Sequence, residues 1–155
     1  MKYTHILVAL FIGVLLLASY SARASDGAYI TLGHTVFNSS LTNAELSYRH
    51  SDWEFGAGQF GAESSTRNGP QDVHAYASIS RLVYPGWRVA GGENYYRLGA
   101  AYVDDSPLVG NTNYRLGVGM DWGVFQIEFA HFSSAGLHPV NSGIDSVQAR
   151  FHAGW

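Results

Sequence analysis

A histidine, a serine and an aspartate lie near the end of this 155-residue chain, within the stretch from His131 to Asp145. Successive side chains of an extended strand point to opposite faces, so His131 and Ser133 share a face, two residues apart. Nucleophilic acyl transfer uses these residue types, because an acid orients the imidazole and the imidazole takes the hydroxyl proton. The stretch therefore predicts a serine-esterase site with Ser133 as nucleophile, His131 as base and Asp145 as orienting acid.

The segments on either side of this stretch read as two paired strands. The first alternates, and its apolar residues Phe125, Ile127 and Phe129 share the parity of His131. The second alternates in the same way, with Asp145 on its apolar side. An antiparallel hairpin that pairs residues 131 and 145 aligns both apolar faces and leaves about 5 Å between the two Cβ atoms. We therefore expect all three polar side chains on one apolar surface.

The loop between these strands contains donors for an oxyanion that would develop on an ester carbonyl. They are the backbone N–H groups near Ala135 and Gly136 and the side-chain amide of Asn141. The segment 141–143, Asn-Ser-Gly, is equally well explained as a simple turn. The sequence therefore offers these donors as candidates beside the three catalytic candidates.

A metal site is the other chemistry that this stretch suggests. His131, His138 and Asp145 are spaced at intervals of seven residues across a loop, which matches no familiar metal-ligand spacing. The chain has no cysteine, so a cysteine-based metal site and a disulfide framework are both excluded. We therefore expect neither a metal nor another cofactor.

Composition and the N-terminus indicate the class of protein. The formal net charge of -3 gives no electrostatic case for nucleic-acid binding. Lys2, the apolar run Ile6–Ala18 and the A-x-A motif at residues 22–24 are typical of a secretory signal. The apolar run is shorter than the roughly 20 residues that a membrane-spanning helix needs. We expect a signal peptide at 1–24 and a single domain at 25–155.

Alternation divides the mature chain into eight strand candidates. Their connections alternate between tight turns, at Ser51-Asp52 and Trp122-Gly123, and long polar loops, at 63–71, 104–112 and 134–143. Short turns at one end and longer loops at the other are typical of an outer-membrane β-barrel. The predicted strands span approximately residues 27–37, 41–50, 53–61, 72–84, 94–103, 113–122, 124–132 and 144–154.

The two faces of these strands differ in polarity, and aromatic residues cluster near the strand ends. A soluble sandwich would also alternate, but two aromatic girdles favour a barrel in a membrane. The predicted periplasmic girdle contains Tyr29, Tyr48, Trp53, Trp122 and Trp155, and the outer one contains Phe37, Tyr102 and Tyr114. The predicted interior contains Glu45, Arg49, Glu54, Arg97, Arg115, Glu128 and Arg150. The sequence thus predicts an all-β, eight-stranded antiparallel transmembrane barrel of the outer membrane, filled by its own side chains.

The C-terminal stretch also resembles a known family. Residues 131–137, HFSSAGL, followed by Asn141 and by GIDS at 143–146, are similar to the C-terminal signature of outer-membrane lipid A 3-O-deacylases of the PagL type. In that family the triad is the histidine and serine of H-[FY]-S and an acidic residue fourteen positions after the histidine. Asp145 lies fourteen positions after His131. This chain departs from the family pattern in having Asp145 where Glu is common and Ser134 where Asn is frequent.

The resemblance implies an eight-stranded barrel with its site on the outer surface. It further implies a hydrolase that removes the ester-linked 3-hydroxyacyl chain of lipid A, and hence lipopolysaccharide of the outer leaflet as substrate and the outer membrane as location. The alternative is a non-enzymatic small barrel that serves adhesion or membrane integrity. A barrel protease is a further alternative, although the loops lack the several carboxylates expected for it. The sequence leaves open a homodimer, the acyl chain removed and a role for a divalent ion.

Overall fold

The computed structural model describes residues 26–37, 39–66, 69–104, 106–139 and 141–153. Within these ranges the chain forms strands, and no helix there is long and apolar enough to cross a membrane. The predicted signal peptide at 1–24 lies outside the described residues. The strands are β1 (Gly27–Val36), β2 (Thr42–His50), β3 (Trp53–Phe60), β4 (Glu63–Thr66), β5 (Gly69–Gln71), β6 (His74–Val83), β7 (Arg88–Val89), β8 (Gly92–Val103), β9 (Thr112–Asp121), β10 (Phe125–Ser133) and β11 (Ile144–Ala153).

Eight of these strands form one closed sheet. Its order is β6-β3-β2-β1-β11-β10-β9-β8, every neighbouring pair is antiparallel, and β6 pairs with β8 to close the ring. Closure leaves no free strand edge, which is the condition for a sheet to lie in hydrocarbon. The predicted all-β, eight-stranded antiparallel barrel is confirmed.

The eight barrel strands agree with the predicted ones to within two residues at each end, and the largest differences are at the starts of β6, at His74 against a predicted 72, and of β8, at Gly92 against a predicted 94. Three short strands were not predicted. β4 and β5 form a hairpin of their own within the predicted polar loop 63–71, and β7 pairs antiparallel with the first residues of β8, in the connection between β6 and β8. These additions lie in the connections and leave the barrel unchanged.

The interior of the barrel is polar and charged, as predicted. Glu54 binds the guanidinium groups of Arg49, Arg97 and Arg150, and Glu128 also contacts the last two. All seven predicted interior residues are at most 3 % exposed, namely Glu45, Arg49, Glu54, Arg97, Arg115, Glu128 and Arg150. The interior is therefore occupied by ion pairs, consistent with a small barrel filled by side chains.

Among the described residues, the predicted girdle side chains face outward except that of Tyr29. Tyr29 is fully buried, stacks on His152 at 4.8 Å between ring centroids, and lies under the guanidinium of Arg49. It shares the parity of the buried Thr31, so its ring faces the interior and the prediction of a girdle position is wrong. Trp155 lies outside the described residues. The other girdle residues are exposed: Phe37, Tyr48, Trp53, Tyr102, Tyr114 and Trp122.

An apolar cluster closes the interior at the long-loop end of the barrel. The loop between β8 and β9 folds inward, so that Leu108 and Val109 are fully buried. Phe132 of β10 and Ile144 of β11 belong to the same cluster. Because these residues alternate with the outward-facing ones, the cluster lies directly behind the strand ends that carry the candidate catalytic residues.

Candidate active site

The predicted histidine and aspartate are directly opposite one another. β10 and β11 pair in the predicted register, with His131 facing Asp145 and Phe129 facing Val147. The imidazole Nδ1 donates a hydrogen bond of 2.7 Å to Asp145 Oδ1. Nδ1 therefore carries the proton in the neutral ring, and Nε2 is left with its lone pair directed away from the carboxylate. The His131 side chain is 36 % exposed and that of Asp145 is 18 % exposed.

Ser133 is on the same outer face at the end of β10, but its hydroxyl has other partners. The hydroxyl donates to Asn141 Oδ1 at 3.1 Å and accepts the Ala135 N–H at 3.1 Å. Among the residues that the structure describes, no hydrogen bond joins Ser133 to His131. The structure thus brings together two of the three predicted residues and holds the third beside them in a different hydrogen-bond arrangement.

Two of the predicted oxyanion donors, Asn141 and the Ala135 N–H, form hydrogen bonds within the loop. Asn141 Oδ1 accepts the backbone N–H of Ser134 at 3.0 Å as well as the Ser133 hydroxyl. A backbone N–H only donates, so the amide oxygen faces the strand end and the NH₂ group points elsewhere. The Ala135 N–H is engaged by Ser133, and Gly136 follows it in the left-handed region at φ 85°. Asn141 is therefore an acceptor in this conformation, whereas the sequence suggested a donor.

Gly143 allows the chain to pass close to the His131 imidazole. A Cβ atom built on Gly143 would lie 3.0 Å from His131 Cε1, and its φ of 73° is in the left-handed region. A side chain here would be strained by the backbone and would press on the ring, so glycine is favoured on both counts. The position of His131 is thus fixed on one side by Asp145 and on the other by the Gly143 backbone.

The loop between β8 and β9 supports the site loop from below. The Ser142 N–H donates to the Leu108 carbonyl at 2.9 Å, next to the Asn141 that holds Ser133. A Cβ atom on Gly110 would lie only 2.5 Å from His138 Cβ, so the two loops are packed backbone against side chain. Sequence analysis missed this support, although the apolar Leu108-Val109 within a polar loop was the available signal.

We expect Gly110→Ala to loosen the site loop. Because the added methyl group overlaps His138, the loop must shift and the Ser142 to Leu108 hydrogen bond weakens. Protection of the Ser142 and Ser134 amides against hydrogen exchange should fall about fivefold, since such a bond is worth about 1 kcal/mol. Gly92→Ala is the matched control, because it creates a similar overlap, 2.7 Å from Trp122, at the opposite end of the barrel. Unchanged protection in the Gly110 variant would contradict the supporting role.

No group of three or more metal-ligating side chains lies together in the described part of the chain. Of the three candidate ligands, His131 is hydrogen-bonded to Asp145. His138 instead packs against the β8–β9 loop, where a Cβ atom built on Gly110 would lie 2.5 Å from it. The site's polar atoms are thus those of a histidine, a carboxylate, hydroxyls and amides. This donor set is suited to acid–base and nucleophilic chemistry.

Comparison with known proteins identifies the fold. No protein-family model and no curated protein matches this chain. Among solved structures, the chain is similar to the crystal structure of the outer membrane enzyme PagL, with a TM-score of 0.56 and 16 % sequence identity. The similarity covers 83 % of this chain and 99 % of that chain. The barrel has a PagL-like fold. At this identity the likeness to PagL concerns the fold, and the role of each residue rests on the local geometry.

Proposed function

We propose that this protein is a serine esterase of the bacterial outer membrane that removes the ester-linked 3-hydroxyacyl chain of lipid A. The observation that carries the proposal is the hydrogen-bonded pair of His131 and Asp145 beside Ser133 on the outer face of the barrel. Such a pair supplies an oriented base next to a hydroxyl nucleophile. The PagL-like fold and the PagL-type sequence signature support the same reaction.

The distribution of polarity supports insertion of the barrel into a membrane. Charged residues fill the interior, whereas Leu32, Leu46 and Val124 on the outside are 55 %, 63 % and 72 % exposed. An apolar exterior of this extent is unfavourable in water and favourable in hydrocarbon. With residues 1–24 removed as a signal and the short turns in the periplasm, residues 25–155 form one barrel domain whose candidate site faces the outer leaflet.

The reaction uses Ser133 as nucleophile and His131 as base. Ser133 rotates about χ1 away from Asn141 and towards His131 Nε2, which is free because Asp145 holds Nδ1. Its oxygen attacks the ester carbonyl while Nε2 takes the proton, and collapse of the intermediate returns that proton to the departing sugar hydroxyl. Water then attacks the acyl-enzyme with His131 again as base, and the hydroxy fatty acid leaves.

Rotation of Ser133 also releases a donor for the oxyanion. The Ala135 N–H now binds the Ser133 oxygen, so it becomes available when that oxygen moves to His131. Asn141 still accepts the Ser134 N–H on Oδ1, and its NH₂ group, which has no hydrogen-bond partner among the described residues, is the donor offered to the substrate. The Gly136 N–H follows in the same turn. Nucleophile activation and formation of the oxyanion site are thereby coupled in one rotation.

The shorter acid of this chain reaches the imidazole without difficulty. Asp145 Oδ1 lies 2.7 Å from His131 Nδ1 because the two residues are direct partners across β10 and β11. In the PagL-type pattern the acid is commonly Glu, one methylene longer. A direct cross-strand pair places Cβ atoms about 5 Å apart, which suits the shorter side chain.

Mass spectrometry of lipid A tests this proposal. Incubation of the purified, refolded barrel with lipid A in mixed micelles should yield lipid A lacking one ester-linked 3-hydroxyacyl chain, together with the free hydroxy acid. Performed in ¹⁸O-water, the reaction should place the label in the released carboxylate, because acyl-oxygen cleavage through Ser133 adds water to the acyl group. Unchanged lipid A with a barrel whose heat-dependent gel mobility shows it to be folded would favour the non-enzymatic alternative.

A further inference from the structure

A second group of polar side chains lies on the outer wall beside the candidate active site. His34 of β1 is exposed on the outer face, and its Nε2 is 3.1 Å from the Ser40 hydroxyl. The Ser40 N–H donates to Glu63 Oε2 of β4 at 2.7 Å. Thr42 of β2 is the direct cross-strand partner of His34 and is also exposed. We define these four residues, from three strands and one loop, as the rim cluster.

The rim cluster is adjacent to the acid of the candidate site. Val36 of β1 faces Asp145 across the β1–β11 pair, and His34 faces Val147 two residues further along. His34 and Asp145 are therefore diagonal neighbours on adjacent strands, a geometry in which the two residues are about 7–8 Å apart and their Cβ atoms somewhat closer. A molecule whose ester group reaches Ser133 and His131 thus has its neighbouring groups within reach of the rim cluster.

The rim cluster lies on an otherwise apolar wall, so its polar groups are stable there only beside other polar groups. The surrounding outward positions are apolar, with Leu32 and Val147 each about half exposed. An ionisable side chain on the lipid-facing wall is costly unless it reaches polar groups. His34 reaches upward to Ser40 in the loop, so the cluster lies at the level where hydrocarbon gives way to headgroups.

The donor and acceptor set indicates which headgroup chemistry fits. His34 Nδ1 has no partner among the described residues, and the hydroxyls of Ser40 and Thr42 both donate and accept. Glu63 contributes a carboxylate, which repels phosphate and accepts hydrogen bonds from hydroxyl and amide groups. A set that mixes neutral donors with a carboxylate therefore favours sugar hydroxyls and amides over a phosphate group.

We propose that the rim cluster binds the sugar headgroup of a glycolipid and holds its ester-linked chain at the candidate active site. This inference rests on the proposed function, for which it supplies a substrate-binding subsite. His34 and Ser40 contact hydroxyl or amide groups of the sugar, and Glu63 accepts a hydroxyl hydrogen bond while fixing Ser40. The subsite discriminates a glycolipid from an ester that has no headgroup.

A pair of substrates tests this subsite through activity. Against lipid A, His34→Leu should raise KM about tenfold with little change in kcat, because lost hydrogen bonds weaken ground-state binding. Against p-nitrophenyl decanoate in the same micelles, which carries no sugar, the same variant should keep the kinetics of the parent. His50→Leu is the matched control, since His50 is an exposed histidine at the opposite end of the barrel, and both substrates should be unaffected. Equal effects of His34→Leu on the two substrates, or none on lipid A, would overturn the proposal.

A binding measurement keeps the test independent of catalysis. Native mass spectrometry compares retention of lipid A and phosphatidylglycerol by Ser133→Ala and by Ser133→Ala/His34→Leu proteins. The single variant should retain lipid A preferentially and the double variant should lose that preference. Equal preference in both overturns the subsite, and loss of preference when the lipid A is dephosphorylated overturns the assignment to sugar groups. A parent that hydrolyses neither ester while this preference persists would instead contradict the proposed function alone.

Discussion

Ser133→Ala is expected to leave a folded barrel that no longer deacylates lipid A. The rate should fall by about 10⁴-fold or more, because loss of a serine nucleophile removes the covalent route and leaves only binding and oxyanion stabilisation. The fold should persist, since Ser133 ends β10 and its hydroxyl, among the residues that the structure describes, is hydrogen-bonded to Asn141 and the Ala135 N–H, both in the loop. The measurement is the initial rate of hydroxy-acid release from lipid A by the purified variant and parent.

Ser65→Ala is the matched control for this experiment. Ser65 is an exposed serine of β4 at the same end of the barrel, on the hairpin outside the candidate site. Its replacement should leave the rate unchanged. A Ser133→Ala protein that retains activity within about tenfold of the parent would exclude Ser133 as nucleophile, since covalent catalysis tolerates no such substitution.

The pairing of His131 with Asp145 could be predicted from the sequence because strand register is strongly constrained here. A slip of one residue would turn Phe129 and Val147 inward and would place Glu128 on the lipid-facing side. Alternation therefore selects one parity for both strands, and apolar pairing selects the register within that parity. The same constraint explains why the interior charges were predicted correctly from sequence alone.

The loop contacts could not be predicted in the same way. Asn141 binds Ser133, and Leu108 binds Ser142, through chain segments in turn conformations that have no repeating pattern. The alternation of side chains along a strand assigns each strand residue to one face of the sheet, but it gives no positions for loop residues. Tyr29 lies near the start of β1, as a girdle residue would, but it shares the parity of the buried Thr31, so its ring faces the interior.

Glu54→Ala is expected to cause the largest loss of stability of any single change in the interior. Glu54 Oε1 accepts hydrogen bonds from Arg97 and Arg150, and Oε2 accepts two from Arg49. Removing the carboxylate takes an ion-pair partner from each of three buried guanidinium groups, which costs about 3–5 kcal/mol. The measurement is urea unfolding of the barrel in lipid vesicles, followed by tryptophan fluorescence. Glu93→Ala is the control, because Glu93 pairs with the exposed Arg88 and its loss should cost at most about 1 kcal/mol.

A second substitution separates the electrostatic effect from the cavity that alanine creates. Arg97 and Arg150 both retain Glu128 when Glu54 is absent, so Arg49 is the residue that loses most. Its remaining partners are neutral oxygens of Tyr84 and Gln126 and the carboxylate of Asp121 at 3.9 Å. The double variant Glu54→Ala/Arg49→Ala should therefore be more stable than Glu54→Ala, although it has lost more side-chain volume. A double variant that is less stable by the sum of both single losses would show that packing, and not charge compensation, determines the stability of the interior.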